Sequence, residues 1–274
     1  MRRTITVIAV FSALVVGFAL DRALGTHGGT PGIGAANAAN PAANGPGITL
    51  ADGQRLDASN LGPVIEQYVL DHPDLLARAA AKLQEKQEAA AKADTRTVLA
   101  ALKEDLLNDP AAPVLGNPQG DVTVVEFFDY KCPYCKRVAD DLAHLILADP
   151  KVRVVFKELP ILGPDSQIAA MGGLAANRQG KYGAYHAAAM GHHGPFSEDV
   201  VLDIARQLNL DLNRFRADMK DETLADAIKK NQALAEKLSI DGTPAFIIGH
   251  EKVPGAIGFD DMKKLVDEAR HPQG

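Results

Sequence analysis

The sequence predicts an α/β fold: a central sheet entered through a helical arm and interrupted by a long helical insertion. Three stretches carry this expectation. "DVTVVEFFDY" has seven β-branched or aromatic residues and reads as a buried strand. "VRVVFKELPI" follows one helix later, so the order β, α, β implies a right-handed crossover and a parallel pair. Much further on, "TPAFIIGHEKVPGAIGF" gives two short strands around Gly249 to Glu251.

The chain has 274 residues, 46% of them apolar, enough for one good-sized core with extensions. Its formal charge of −6 offers none of the clustered Lys and Arg that phosphate backbones require, which argues against a nucleic-acid partner. At the start, Arg2 and Arg3 precede an uncharged, mostly apolar run from Thr4 to Leu20. Residues 1–20 therefore read as a signal peptide or an uncleaved membrane anchor, placing the bulk of the chain in the periplasm or another extracytoplasmic space. Residues 21–56 are rich in Gly, Ala, Asn and Pro and read as a flexible linker.

From residue 57 to 110 the pattern is helical. Leu61, Ile65 and Tyr68 recur at helical spacing, as do Leu75, Ala79 and Leu83, then Leu99, Leu102 and Leu106, predicting helices over about 59–70, 73–92 and 94–107. Asn108-Asp109-Pro110 stops the last one. The apolar stripe is narrow and Ala-rich. It suits either a hairpin packed on the main domain or a self-associating arm making a homo-oligomer through residues 57–108.

Residues 111–274 form the main domain. "PAAPVLGNPQG" gives a short edge strand and turn before the strand at 121–130. The next helix runs from Cys132 to about Ala148, with Leu142, Leu145 and Ile146 inward. An insertion over about 163–238 is helical from Ser166 to Leu238, broken at Gly180, at Gly191 to Pro195 and near Asn209, with Ser197 as an N-cap. "DDMKKLVDEAR" is the closing helix.

The two cysteines of the chain, Cys132 and Cys135, are three positions apart. A structural zinc site would need two further ligands, with His192 and His193 as the candidates. A structural disulfide across so short a loop would stabilise little. A redox-active dithiol fits the surroundings better. Cys132 falls at the start of a helix, where unpaired N–H groups and the macrodipole stabilise a thiolate, so it is the expected nucleophile. Cys135, one turn further in, is the expected resolving thiol. Pro133 suits the first helical turn, since its missing N–H would have no partner there. Glu126 breaks the apolar strand six residues before Cys132; it points either to a solvated face or into the core, where its pKa would rise and it could relay the proton of Cys135. Pro244 stands at the head of an apolar strand, and a cis Thr243-Pro244 bond facing the cysteines would leave the backbone at Thr243 free to pair with an extended peptide.

Together "VVEFFDYKCPYC" and "GTPAFIIG" resemble the active site and the cis-proline loop of the DsbA family, over roughly Pro113 to Arg270. The N-terminal helices resemble those of the ScsC (suppressor of copper sensitivity) group. The resemblance implies a thioredoxin fold with a helical insertion, with Glu126 at the place of the family's buried acid. It implies catalytic Cys132, Cys135, Glu126 and Pro244; substrate contacts through Pro133, Tyr134 and Thr243; and neither a metal nor another cofactor. Unfolded or misfolded secreted proteins with cysteines would be the substrates, and a membrane redox partner would recycle the dithiol. Pro133-Tyr134 departs from the best-known oxidase, which has Pro-His between its cysteines, while Thr243 resembles what isomerases carry. Both a disulfide isomerase and an oxidase therefore stay open. A copper(I)-binding or copper-tolerance module using the same two thiolates is the alternative from another class.

Overall fold

The computed structural model describes residues 48–49, 55–56 and 58–271. The apolar start and most of the Gly-rich linker lie outside the described residues. The chain divides into two units, Met1–His72 and Pro73–Gly274. In the first, β1 (Ile48–Thr49) pairs antiparallel with β2 (Arg55–Leu56), a short ladder inside the stretch read as linker. It is followed by α1 (Ala58–Asp71), on which Val64, Ile65, Tyr68 and Leu70 are exposed.

In the second unit, α2 (Asp74–Ala101) runs without the break expected at residues 92–94. "AAAKADTRT" holds neither Gly nor Pro, and its alanines and lysines favour helix strongly enough to carry the chain through. Along its first twenty residues α2 is exposed apart from the half-buried Leu75, with Leu76 at 61% and Leu83 at 58%, and it meets the domain toward its end, where Leu99 is buried and Arg96 pairs with Glu251 at 3.4 Å. After α3 (Lys103–Leu107), Leu99 and Leu106 are both buried under one face of the sheet, so the helical region is part of the domain core from Leu99 onward.

The sheet comprises β3 (Val114–Gly116), β4 (Val122–Phe128), β5 (Val152–Glu158), β6 (Ala245–Ile248) and β7 (Glu251–Pro254). Its order is β3-β5-β4-β6-β7. β4 and β5 are the parallel pair and the other neighbours are antiparallel. The helix α4 (Pro133–Ala148) makes the crossover. The insertion consists of α5 (Pro164–Arg178), α6 (Tyr182–Gly191), α7 (Glu198–Gln207), α8 (Leu212–Asp218) and α9 (Glu222–Lys237), and α10 (Phe259–Arg270) closes the chain. Ser197 caps α7 as expected, accepting from Val200 N at 3.3 Å. The break between α8 and α9 is an additional one, set by Asp221, whose carboxylate accepts from Thr223 N at 2.9 Å.

Both faces of β4 and β5 are covered, which is why each reads as a nearly continuous apolar run. Val122, Val124 and Phe128 join Val152, Val154 and Phe156 in the core beneath α4, α10 and the insertion. Val125, Phe127 and Val155 face Leu99, Leu106, Leu234 and Leu238 on the other side. A two-sided strand must bury whatever it carries, including charges. Lys157, fully buried on the second face, is paired with Asp109 at 2.9 Å and donates to Asp105 O at 2.8 Å. Burial lowers the Lys157 pKa while Asp109 opposes the shift.

Candidate active site

The chain leaves β4 through Asp129, Tyr130 and Lys131, and a knot of hydrogen bonds fixes this turn. The buried Asp129 carboxylate accepts from Lys131 N (2.8 Å), Ile161 N (2.9 Å), Leu162 N (3.0 Å) and Ser166 Oγ (2.8 Å). Cys132 N donates to Asp129 O at 3.0 Å. One acid thus ties the turn before the cysteines to the loop entering the insertion. Lys131 adds a 2.7 Å pair with Asp165.

Cys132 is the N-cap of α4, with an extended backbone (φ −67, ψ 119) and Pro133 at the first helical position. Its Sγ donates to Thr243 O at 3.1 Å, and the Thr243-Pro244 bond is cis. Two segments more than a hundred residues apart therefore meet at one sulfur, as the sequence led us to expect. Both thiols are free; Cys132 is 4% exposed and Cys135 0%. Pro133 and Tyr134 are exposed beside Cys132, and the Tyr134 ring lies 4.8 Å from the Arg137 guanidinium. Lys136 runs the other way, its Nζ donating to Ala189 O (3.1 Å), Met190 O (3.0 Å) and His192 O (2.8 Å) at the end of α6. It anchors the active-site helix to the insertion.

Glu126 is buried, so of its two readings the core-facing one holds. Neither carboxyl oxygen has a hydrogen-bond partner among the described residues. Burial alone pushes its pKa up to about 8. The Cys135 thiol is also pushed up, first by burial and then by the Glu126 charge; the Asp129 main chain and the Thr243 side chain oppose this as hydrogen-bond partners. Cys135 therefore gives up its proton only with help, and Glu126 is the acid placed to influence it.

The model of the DsbA-like thioredoxin domain matches residues 123–267. The chain belongs to this DsbA-like thioredoxin family. A thioredoxin-like oxidoreductase from Silicibacter pomeroyi DSS-3 is 48% identical with a TM-score of 0.60, over 62% of this chain and 98% of that one. Proteus mirabilis ScsC in a transitional conformation is 29% identical with a TM-score of 0.59, over 78% of this chain and 99% of its own. Among curated relatives, the probable disulfide bond formation protein D of Bacillus cereus is 29% identical over 168 residues, 56% of this chain and 76% of that protein. The Na(+)/H(+) antiporter NhaA 1 of Salinispora arenicola is 31% identical over 158 residues. The match takes in 57% of this chain and only 24% of the antiporter's length.

Several residues of the DsbA-like site escaped the sequence reading: Asp129, Tyr130, Lys136, Glu158, Tyr182 and His186. Glu158 was within reach. Lys157 and Glu158 are consecutive in an apolar strand, so when both faces are covered one charge is buried on each. Asp129, Tyr130 and Lys136 lie beside the cysteines in the turn after β4 and on α4, and Tyr182 and His186 are brought in by the insertion; none of them carries a local motif.

Proposed function

We propose that the chain is an extracytoplasmic thiol:disulfide oxidoreductase acting on cysteine-containing protein substrates. The observation that carries the reading is the approach of Cys132 Sγ to Thr243 O at 3.1 Å, with Cys135 fully buried behind it. The Cys132 thiolate attacks one sulfur of a substrate disulfide and the other sulfur leaves as thiolate. Cys135 then gives its proton to Glu126 and attacks Cys132 Sγ, releasing the second substrate thiolate and leaving a Cys132–Cys135 disulfide. Two electrons pass to the substrate; the reverse sequence oxidises it, and release before Cys135 attacks reshuffles it. Pro133, Tyr134 and the free backbone at Thr243 hold the substrate strand. A membrane redox partner resets the dithiol.

The exposed half of α2 bears on the direction. Leu76 and Leu83 on a helix otherwise rich in Lys, Glu and Gln suit self-association. An oligomer would favour isomerisation, since several dithiols then face one misfolded chain, and a monomer would favour oxidation. The copper(I) alternative has the two thiols as its donors; no larger group of metal-binding side chains gathers among the described residues. Rescue of scrambled ribonuclease and oxidation of reduced ribonuclease test the activity, and sedimentation of the full chain beside Leu76→Glu and Leu83→Glu tests the arm. We expect rescue that Cys132→Ser abolishes and an oligomer that the glutamates dissociate. Absence of both activities rejects the reading, and a monomeric full chain rejects the isomerase form of it.

A further inference from the structure

A second buried acid stands beside Glu126. In the β4–β5 register Glu126 pairs with Phe156 and Phe128 with Glu158, so the two glutamates are diagonal neighbours on adjacent parallel strands. With strands about 4.8 Å apart and a rise of about 3.3 Å per residue, such neighbours lie roughly 8 Å apart. Two glutamate side chains span that gap directly or through one water.

Glu158 Oε1 is already occupied, accepting from Tyr130 OH at 3.3 Å and Tyr182 OH at 3.4 Å. Tyr182 lies in turn 3.5 Å from His186 Nδ1, which donates if the phenol points to Glu158. Glu158 Oε2, like both oxygens of Glu126, has no partner among the described residues. Three buried carboxyl oxygens without partners in one neighbourhood are costly to leave so. Gly173 of α5 makes the room: a Cβ there would stand 2.7 Å from Glu158 Oε1 and 2.8 Å from Tyr130 OH.

The titratable groups around Glu158 are Asp129, Glu126 and Tyr130 from β4 and its turn, and Tyr182, Tyr185 and His186 from α6. From α9, Asn231 Nδ2 donates to the Glu158 main-chain oxygen at 3.1 Å. None of these is a cation, since burial lowers the His186 pKa to about 3. Burial also raises Glu158 well above the usual carboxylate range, which favours its protonated form. With Oε1 accepting two phenols, that proton belongs on Oε2.

We propose that Glu158 is a positioning residue for proton transfer at the dithiol, donating its Oε2–H, directly or through one buried water, to the carboxylate of Glu126. The two acids then share one proton. Glu126 becomes able to ionise inside the core and to take the proton of Cys135, whose S–H bond breaks as the Glu126 O–H bond forms. This rests on the reading of Glu126 as proton acceptor.

The test is the pH profile of the two phases of reaction with Ellman's reagent. Attack by Cys132 releases the first equivalent of chromophore, and attack by Cys135 on the resulting mixed disulfide releases the second. Loss of a hydrogen bond to an ionised carboxylate raises its pKa by about one to two units. Glu158→Met should therefore move the midpoint of the second phase upward by about that much and leave the first phase in place. Glu158→Gln, which keeps an N–H donor and an acceptor, should stay within about half a unit of wild type. An unmoved midpoint in Glu158→Met, or an equal shift in Glu158→Gln, overturns the proposal.

Glu126→Gln separates the two layers of the argument. If it changes the second phase while Glu158→Met does not, only the role of Glu158 fails; if it changes nothing, Glu126 is not the acceptor and both fail. Should Glu158→Met not fold, redox-difference infrared spectra of wild type and Glu158→Gln decide. A protonated-carboxyl band that responds to reduction and disappears in Glu158→Gln is expected, and identical spectra overturn the proposal.

Discussion

Replacing Glu126 by Gln should make the protein more stable at alkaline pH, because burial disfavours the ionised form of the Glu126 carboxyl. Burial raises Glu126 from 4.5 to about 8. Below pH 4.5 the folded and unfolded chains both hold the proton and no penalty arises. Between there and pH 8 the unfolded chain ionises while the folded one keeps its proton, so stability falls as pH rises; above pH 8 the loss levels off. Between pH 5 and pH 8 the loss amounts to about 3 kcal/mol, from 1.36 kcal/mol per unit of pKa shift. The amide of Gln has its own burial cost, but that cost does not vary with pH. Urea unfolding of the reduced protein at pH 5, 6.5 and 8 should thus show the gap between Glu126→Gln and wild type widening by about 3 kcal/mol in favour of the variant. His186 titrates in both proteins and drops out of the difference, so the gap reads Glu126 together with the part of the Glu158 shift that the Glu126 charge causes. Parallel stability curves, differing by less than about 1 kcal/mol in their pH dependence, would refute the placement of Glu126 as a buried acid with a raised pKa.

Two other changes probe the same neighbourhood. Thr243→Val removes a hydrogen-bond partner of Cys135 while keeping shape, and at about 1 kcal/mol for that bond it should slow the second Ellman phase roughly fivefold without touching the first. Equal rates would make Thr243 a turn residue only. Gly173→Ala places a methyl group within 2.7 Å of Glu158 Oε1, in a pocket closed by Tyr130, and should cost about 1–3 kcal/mol of overpacking in thermal unfolding. An unchanged Tm would mean that Glu158 has room to move.

What could be read from the sequence was what local patterns carry. The dithiol at a strand–helix junction, the proline before β6, the Ser197 cap and the parallel β4–β5 pair each depend on a few neighbouring residues, and each is found in place. The continuity of α2 departs from the break expected at residues 92–94, because the apolar spacing falls into separate groups on either side while nothing in "KADTRT" breaks a helix. Glu126 could not be assigned to a face until the cover on both sides of β4 was known. The Glu158 cluster was harder still. Its phenols come from the turn after β4 and from α6, and only the packing of the insertion on the sheet brings them to one carboxyl.

The central claim is a division of labour: Cys132 attacks the substrate and Cys135 releases it. Incubating Cys135→Ser and Cys132→Ser with scrambled ribonuclease, quenching with acid and mapping the adducts by mass spectrometry tests it directly. The account predicts a stable mixed disulfide on Cys132 in Cys135→Ser and almost none on Cys135 in Cys132→Ser, because Cys132 stands at the helix start, 4% exposed and next to the exposed Pro133, while Cys135 is 0% exposed behind it. Adducts forming on Cys135 at a comparable rate would contradict it.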